Sequence, residues 1–317
     1  MKKIPSIVLP ILMVCALLPV AALPAFADDN TYIMRSWDDE KKEIVEEAIP
    51  IPADAHKIDS TTTRLEGGWY VVEGNVTISD ENLIRLNETS HIILKDGCTL
   101  QCFGIIIGSA DLYIYGQSGD TGTIYAQSDA DNAGIGGISP GTTNGKVTIY
   151  GGTVNASSNH GAGIGGGFGG HGITVNIYGG IINASSTEGS GIGGGARTEW
   201  DEFEINGGIT NIYGGTVTAS GCQGIGIGEV GNDDPGDPGE INIFCTYSMK
   251  AGGAAPGRET TLKEYKQSRE RYVQITTPNL TGSIISEGTP WIIGGVAAIV
   301  AAGVAALVIV RKKKKTA

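Results

Sequence analysis

The chain has 317 residues, among them 50 glycines, 22 basic and 34 acidic residues, and its formal net charge is −12. Leaving out the two lysines of residues 1–27 and the five basic residues of residues 311–317 leaves 15 basic against 34 acidic residues, a net charge of −19. Such a surface argues against binding to nucleic acid or to anionic lipid, because both partners are polyanions.

The N-terminus has the pattern of a secretory signal peptide. Two lysines follow Met1, an apolar run extends over Ile4–Leu23, and Ala25-Phe-Ala precedes the expected cleavage site before Asp28. Residues 28–60 then form an acidic segment. Ser36 followed by Asp39 resembles a capping box, which predicts a short acidic helix over Trp37–Ala48. We expect this segment to cap the open N-terminal end of the repeats that follow.

A repeated pattern dominates residues 61–250. Each of three clear copies contains an alternating apolar stretch, Tyr-Gly-Gly, a second alternating stretch and Gly-Ile-Gly, and a fainter copy precedes them. The Gly-Ile-Gly elements begin at Gly134 in the fainter copy and at Gly163, Gly191 and Gly224 in the clear ones. Their spacings of 29, 28 and 33 residues are typical of stacked supersecondary units. Alternation with a period of two predicts strands. A propeller blade would need about 40 residues, so we predict an all-β parallel β-helix.

The C-terminal part has four predicted segments. Residues 251–275 are interpreted as a C-terminal cap, with a helix followed by a strand within 257–273, and residues 276–290 as a linker. Trp291–Val310 contains 20 residues without a charge, enough for one transmembrane helix. The basic tail at residues 311–317 is predicted to be cytoplasmic, which places residues 28–290 outside the cell membrane.

The repeats align a column of four tyrosines that alternation places on the outer face of the solenoid: Tyr115, Tyr150, Tyr178 and Tyr213. Stacked rings of this kind stabilise neighbouring coils. A flat row of exposed rings is also suited to the apolar faces of sugars. Both interpretations are open at the level of sequence, and the column is the candidate carbohydrate-binding site.

A candidate calcium site lies in one acidic loop that contains Asp233, Asp234, Asp237 and Glu240. Acidic loops rich in Gly and Pro are more often ordinary turns. We therefore expect no cofactor, with calcium as the alternative. Cys98 and Cys102 are expected to be small buried side chains. Whether Cys222 and Cys245 form a bridge across neighbouring coils is left open.

Two other kinds of site are disfavoured. The Gly-Ile-Gly-Gly-Gly element lacks the Gly-Lys-Ser/Thr of a phosphate-binding loop, so we expect no nucleotide. A polysaccharide lyase or hydrolase would need converging carboxylates. In the clear repeats, charged residues concentrate in the inserted loop Arg197–Glu204, and we expect no catalytic residues there.

Four motifs carry a resemblance that covers about residues 66–250. They are Gly68-Trp-Tyr-Val-Val-Glu-Gly-Asn-Val-Thr-Ile, Leu94-Lys-Asp-Gly-Cys-Thr-Leu, Tyr113-Ile-Tyr-Gly-Gln-Ser-Gly-Asp-Thr-Gly and Gly161-Ala-Gly-Ile-Gly-Gly-Gly. In this order they resemble a Gly-rich repeat region of surface proteins from Gram-positive anaerobes, described as carbohydrate-binding-like with a pectate-lyase-like β-helix. The resemblance implies a right-handed parallel β-helix and a surface role, without catalytic residues.

Such surface proteins often carry a sortase signal before the membrane span. The corresponding stretch here, Ser286-Glu-Gly-Thr-Pro, departs from that signal, which favours retention in the membrane. The sequence as a whole predicts a membrane-anchored, extracellular, non-catalytic β-helix that binds polysaccharide or another surface glycan. The alternatives are a structural or adhesin module that contacts a surface protein, and a polysaccharide-degrading enzyme.

Overall fold

The computed structural model describes residues 30–79, 82–128, 131–139, 144–197, 205–226, 237, 239–253, 255, 257–268 and 270–278. These residues belong to one compact unit. Within them, no helix has the length and apolar character needed to cross a membrane. The predicted signal peptide, transmembrane helix and basic tail, and the linker beyond Pro278, lie outside the described residues.

The regular secondary structure of the described residues consists of β-strands and one short helix. In chain order its elements are β1 (Thr31–Asp38), β2 (Glu43–Pro50), β3 (His56–Lys57), β4 (Arg64–Leu65), β5 (Gly68–Val72), β6 (Asn75–Thr77), β7 (Ile84–Leu86), β8 (Ser90–Leu94), β9 (Thr99–Cys102), β10 (Ile105–Ile106), β11 (Leu112–Gly116), β12 (Thr123–Gln127), β13 (Ile135–Gly136), β14 (Lys146–Ile149), β15 (Thr153–Ser158), β16 (Ile164–Gly165), β17 (Thr174–Ile177), β18 (Ile181–Ser186), β19 (Ile192–Gly193), β20 (Ile209–Ile212), β21 (Thr216–Ser220), β22 (Ile225–Gly226), β23 (Glu240–Ile243), β24 (Ser248–Gly252), β25 (Arg258–Glu259), α1 (Leu262–Ser268) and β26 (Tyr272–Thr276).

Three sheets form the walls of a parallel β-helix. Sheet 1 has the order β23-β20-β17-β14-β11-β8-β5-β3, and sheet 3 has the order β22-β19-β16-β13-β10-β7-β4. Sheet 2 contains β6, β9, β12, β15, β18 and β21 in parallel, continued by the antiparallel strands β26, β24 and β25. Each strand of a coil pairs with its equivalent in the next coil, so the prediction of a parallel β-helix is confirmed.

The core is a stack of aligned apolar residues between the three sheets. Successive coils place one isoleucine each at the same position of sheet 3, with relative exposures of 0–2%: Ile105, Ile135, Ile164, Ile192 and Ile225. β-Branched side chains are stiff and suit the pleated surface of a strand. Cys98 and Cys102 are buried in this core as free thiols, as predicted, and burial raises the pKa of Cys98 to about 11.

The Gly-Ile-Gly elements require glycine for two reasons. Gly165 has a φ of 144°, a conformation that side-chain-bearing residues rarely adopt. A Cβ at Gly165 would also overlap the carbonyl oxygen of Gly193 in the next coil, and the same close approach recurs between Gly136 and Gly165. We call the second glycines of these elements the glycine column. Because they have no side chain, the coils can stack this closely.

The C-terminal end is closed as the sequence predicted, by a helix followed by a strand. α1 begins with a capping box, in which the Glu264 carboxylate accepts the Thr261 N–H at 3.0 Å and the Thr261 hydroxyl accepts the Glu264 N–H at 3.3 Å. The buried Tyr265 hydroxyl accepts the N–H of Ile225 at 2.6 Å, and so ties α1 to the last strand of sheet 3.

The prediction of a helix over Trp37–Ala48 is wrong. These residues belong to an antiparallel hairpin of β1 and β2, and the turn contains Lys42 at a φ of 57°. Asp38 organises the turn, since its carboxylate accepts the N–H groups of Glu40 and Lys41 at 2.9 and 3.0 Å. Asp39, the acidic residue of the expected capping box, thus belongs to the turn of the hairpin.

Candidate functional site

The four predicted tyrosines stack in successive coils at the ends of the sheet 1 strands. Ring centroids are 4.8 Å apart between Tyr115 and Tyr150, 5.2 Å between Tyr150 and Tyr178 and 4.5 Å between Tyr178 and Tyr213. Phe244 continues the stack 4.3 Å beyond Tyr213. We call these five residues the aromatic ladder. Its spacing follows from the distance between strands, about 4.8 Å, and the alignment of the column is as predicted.

The hairpin β1–β2 covers much of this ladder. Tyr32 packs edge-on against Tyr115 at 4.8 Å, and Trp37 lies 5.9 Å from Tyr213 and 6.5 Å from Phe244. Tyr115 is only 2% exposed, and Tyr150, Tyr178 and Tyr213 are half-buried. The expectation that all four rings form one exposed row is therefore wrong for Tyr115, because a second apolar cluster encloses it.

Burial raises the pKa of three tyrosines in the aromatic ladder. Desolvation, followed by the neighbouring phenol of Tyr213, raises the pKa of Tyr178 to about 12, and desolvation also raises the pKa of Tyr115 and Tyr150. These rings stay neutral at physiological pH. Stacked pairs of this geometry contribute about 0.5–1.5 kcal/mol each beyond burial of area, so the ladder stabilises the stack of coils.

Arg35 fastens the hairpin to the corner beside the ladder. Its guanidinium lies 2.7 Å from both Asp120 and Glu46, and it also donates to the carbonyl oxygen of Tyr150. A Cβ at Gly179 would lie 2.8 Å from the Arg35 side chain. The Tyr-Gly-Gly corners therefore leave room for the arginine, a role that the repeat pattern alone did not indicate.

His91 belongs to a second outer column of sheet 1. Its ring stacks between Trp69 at 4.2 Å and Tyr113 at 4.7 Å, and Nδ1 lies 2.9 Å from the Tyr115 hydroxyl. Burial lowers the pKa of His91. Farther along this column the rings give way to asparagines, with Asn211 Nδ2 donating to Asn176 Oδ1 at 2.9 Å.

Seven neighbouring strands of sheet 2 have an outer side without charged residues. In β6, β9, β12, β15, β18, β21 and β26 the outward positions alternate with buried ones and hold only Thr, Asn, Ser, Gln, Tyr and Ile. The uncharged surface ends beyond β26, where β24 and β25 carry the exposed Lys250, Arg258 and Glu259. We call the uncharged surface the neutral face. Tyr125 is 39% and Ile181 is 49% exposed on it. Asn183 Nδ2 donates to Asn155 Oδ1 at 2.9 Å, which forms an amide ladder across coils.

The acidic loop is only partly within the described residues. Asp233 and Asp234 lie outside them. Asp237 accepts hydrogen bonds from Asn206 Nδ2 at 3.0 Å and from the N–H of Gly239 at 2.9 Å, and Glu240 begins β23 as an exposed residue. Asp237 thus serves a turn. Across the described residues, no group of three or more His, Cys, Asp or Glu side chains is arranged to hold a metal ion.

The remaining predicted features have partial outcomes. Cys222 and Cys245 both have intermediate exposure, and no disulfide bridge joins them. Arg197 is described, whereas residues 198–204 of the loop considered for catalysis lie outside the described residues.

The stacked parallel sheets and repeated glycine corners define the chain as a parallel β-helix protein. A family model described as "Beta helix repeat" matches residues 147–168, 175–196 and 211–228, the three clear repeats. No significant match was found among curated proteins or among solved structures.

Proposed function

We propose that this protein is a membrane-anchored, extracellular, non-catalytic module that binds a neutral polysaccharide through the neutral face. The observation that carries the proposal is the lack of charge on that face in a chain with net charge −12. Neutral sugars need hydrogen-bond donors, acceptors and apolar contacts but no counter-charge. Hydroxyl and amide side chains of Thr, Ser, Asn and Gln supply the first two.

Tyr125 and Ile181 supply apolar contact. Both are among the few large apolar side chains of the described residues that are well exposed, and both lie on the neutral face in neighbouring columns. Aromatic and aliphatic surfaces pack against the C–H faces of sugar rings. The aromatic ladder is a weaker candidate, because the hairpin covers Tyr115 and half-buries its neighbours.

A repeating surface favours a repeating ligand. The same outward positions recur in each coil at about 4.8 Å, so a polymer lying across the strands meets similar groups at every coil. Contacts that are individually weak then add through multivalency. A protein partner, as in an adhesin, would instead be expected to draw most of its binding energy from a few residues at the centre of the interface.

The binding claim is tested with the full chain in detergent micelles by affinity electrophoresis against a panel of neutral and acidic polysaccharides. We expect retardation by at least one neutral polysaccharide, no release of reducing sugar, and loss of retardation in Tyr125→Ala. The matched control is Tyr178→Ala, which removes a half-buried tyrosine of the aromatic ladder, away from the neutral face, and should leave retardation unchanged. Retardation only by acidic polymers, or release of sugar, would contradict the proposal.

The membrane anchor is tested separately in cells that express the full chain. We expect the protein in the membrane fraction, resistant to extraction with carbonate, and digested by protease added outside intact cells. Recovery in the soluble fraction, or protection of residues 30–278 in intact cells, would contradict the proposed topology.

A further inference from the structure

A groove lies away from the neutral face, at the corner of the β-helix between sheets 3 and 1. Its volume is about 660 Å³, within the range of small-molecule sites. Its polar walls come from successive coils and include Asp111, Lys146, His171 and Asn206, and its apolar part comes from Ile173 and Ile209.

The polar groups of this groove are held in place by hydrogen bonds within and between coils. Lys146 Nζ lies 2.9 Å from Asp111 Oδ2, and the backbone N–H of Lys146 donates to Asp111 Oδ1 at 3.1 Å. The Asn206 side chain accepts the N–H of Gly208 at 2.6 Å. Side chains fixed before a ligand arrives lose little conformational entropy on binding.

The hydrogen bond to His171 identifies the tautomer of its neutral ring. Its Nδ1 accepts the backbone N–H of Asn206 at 3.0 Å, so the proton of the neutral ring is on Nε2. The ring is exposed, and Nε2–H is therefore a donor for a ligand. Lys146 supplies a second donor and Asp111 an acceptor.

Ile209 is the unusual member of the groove. It is 37% exposed at an outward position of sheet 1, where its paired neighbours are Thr174 and Glu240. An exposed isoleucine among polar side chains provides an apolar contact. The groove thus combines donors, an acceptor and an apolar surface.

The charges of the groove narrow the class of ligand. An anion gains little, because Asp111 already neutralises Lys146 and the carboxylate of Asp237 bonds to Asn206 in the groove wall. A cation gains little as well, because the Asp111 carboxylate is already bonded to Lys146 and the Asp237 carboxylate to Asn206 and Gly239. We propose that the groove binds a single neutral sugar unit, with Asp111, Lys146 and His171 bonding hydroxyl groups and Ile209 contacting the C–H face. This site does not depend on polymer binding at the neutral face.

The test measures binding of free glucose, galactose, N-acetylglucosamine and glucuronate to the full chain by saturation-transfer NMR. We expect a neutral monosaccharide to bind with a Kd of about 1 mM, as so small a ligand allows. Ile209→Ser and Lys146→Met should each weaken binding about ten-fold. Asn183→Asp, on the neutral face, should leave it unchanged, and circular dichroism should be native for all three variants.

Three results would overturn the proposal. They are no binding of a neutral monosaccharide at concentrations about ten times that Kd, preference for glucuronate, and binding that is lost in Asn183→Asp but kept in Lys146→Met. The third result would assign the monosaccharide to the neutral face and would leave the proposed function standing.

Discussion

Nη2 of Arg35 lies 2.7 Å from Oδ2 of Asp120, joining the N-terminal hairpin to a coil corner 85 residues farther along the chain. Asp120 has a φ of 50° and also accepts the N–H of Gly152 at 2.9 Å. Burial by itself would lower the pKa of Arg35, but Asp120 and Glu46 raise it above its ordinary value. Through this contact the hairpin is held across the aromatic ladder.

Removing the arginine should loosen the hairpin. In Arg35→Met the carboxylates of Asp120 and Glu46 lose their common partner, and breaking a buried ion pair is costly. Since both carboxylates are partly exposed, we expect a loss of about 2–3 kcal/mol in the free energy of unfolding, measured by urea denaturation. The control Lys57→Met breaks a pair whose lysine is 61% exposed and should cost less than about 1 kcal/mol. Equal effects would argue against the role of Arg35.

The glycine column predicts a sharp difference between two alanine substitutions. Gly165→Ala forces a Cβ into the carbonyl of Gly193 and strains a φ of 144°, and we expect loss of the cooperative thermal transition. Gly253 has nothing within 4 Å of its added Cβ, so Gly253→Ala should change stability by less than about 0.5 kcal/mol. A native-like melting temperature for Gly165→Ala would contradict the close stacking of coils.

His91 predicts a pH dependence of stability. Its folded pKa is lowered by burial, so the unfolded chain binds a proton first, near pH 6.5. The stability associated with neutral His91 is therefore present above about pH 6.5 and decreases as pH falls below it, by at most about 1.4 kcal/mol per pH unit.

The variant His91→Phe tests this effect, since it can keep a stacked ring between Trp69 and Tyr113 without titrating. Urea denaturation of both proteins between about pH 5 and pH 7 should give a flatter profile for the variant. Parallel profiles would mean that His91 does not contribute to the pH dependence.

Much of the fold could be predicted from sequence because its repeats are local and periodic. Alternation in residues such as Val175 and Ile177 specifies which side of a strand faces the core, and the glycine spacing specifies the coil length. The aligned tyrosines could be placed in one column for the same reason. The order of helix and strand in the C-terminal cap followed from local signals as well.

The hairpin could not be predicted, because its stability comes from distant contacts. Tyr32 and Arg35 contact Tyr115 and Asp120, more than 80 residues away, and no local pattern specifies such pairs. Near Ser36 a local capping signal competed with these contacts, and the contacts determined the structure. The neutral face was missed for a different reason: its residues are ordinary one by one, and only the pairing of strands brings them into one uncharged surface.

The most direct test of the proposed function compares two isosteric substitutions, Asn183→Asp and Asn211→Asp. Each asparagine donates its amide to the asparagine of the preceding coil at 2.9 Å, but Asn183 lies on sheet 2 and Asn211 on sheet 1. The measurement is the Kd of the full chain for the neutral polysaccharide that retards it most. We predict at least a ten-fold weaker Kd for Asn183→Asp and an unchanged Kd for Asn211→Asp. Equal Kd values for the two variants would contradict binding through the neutral face.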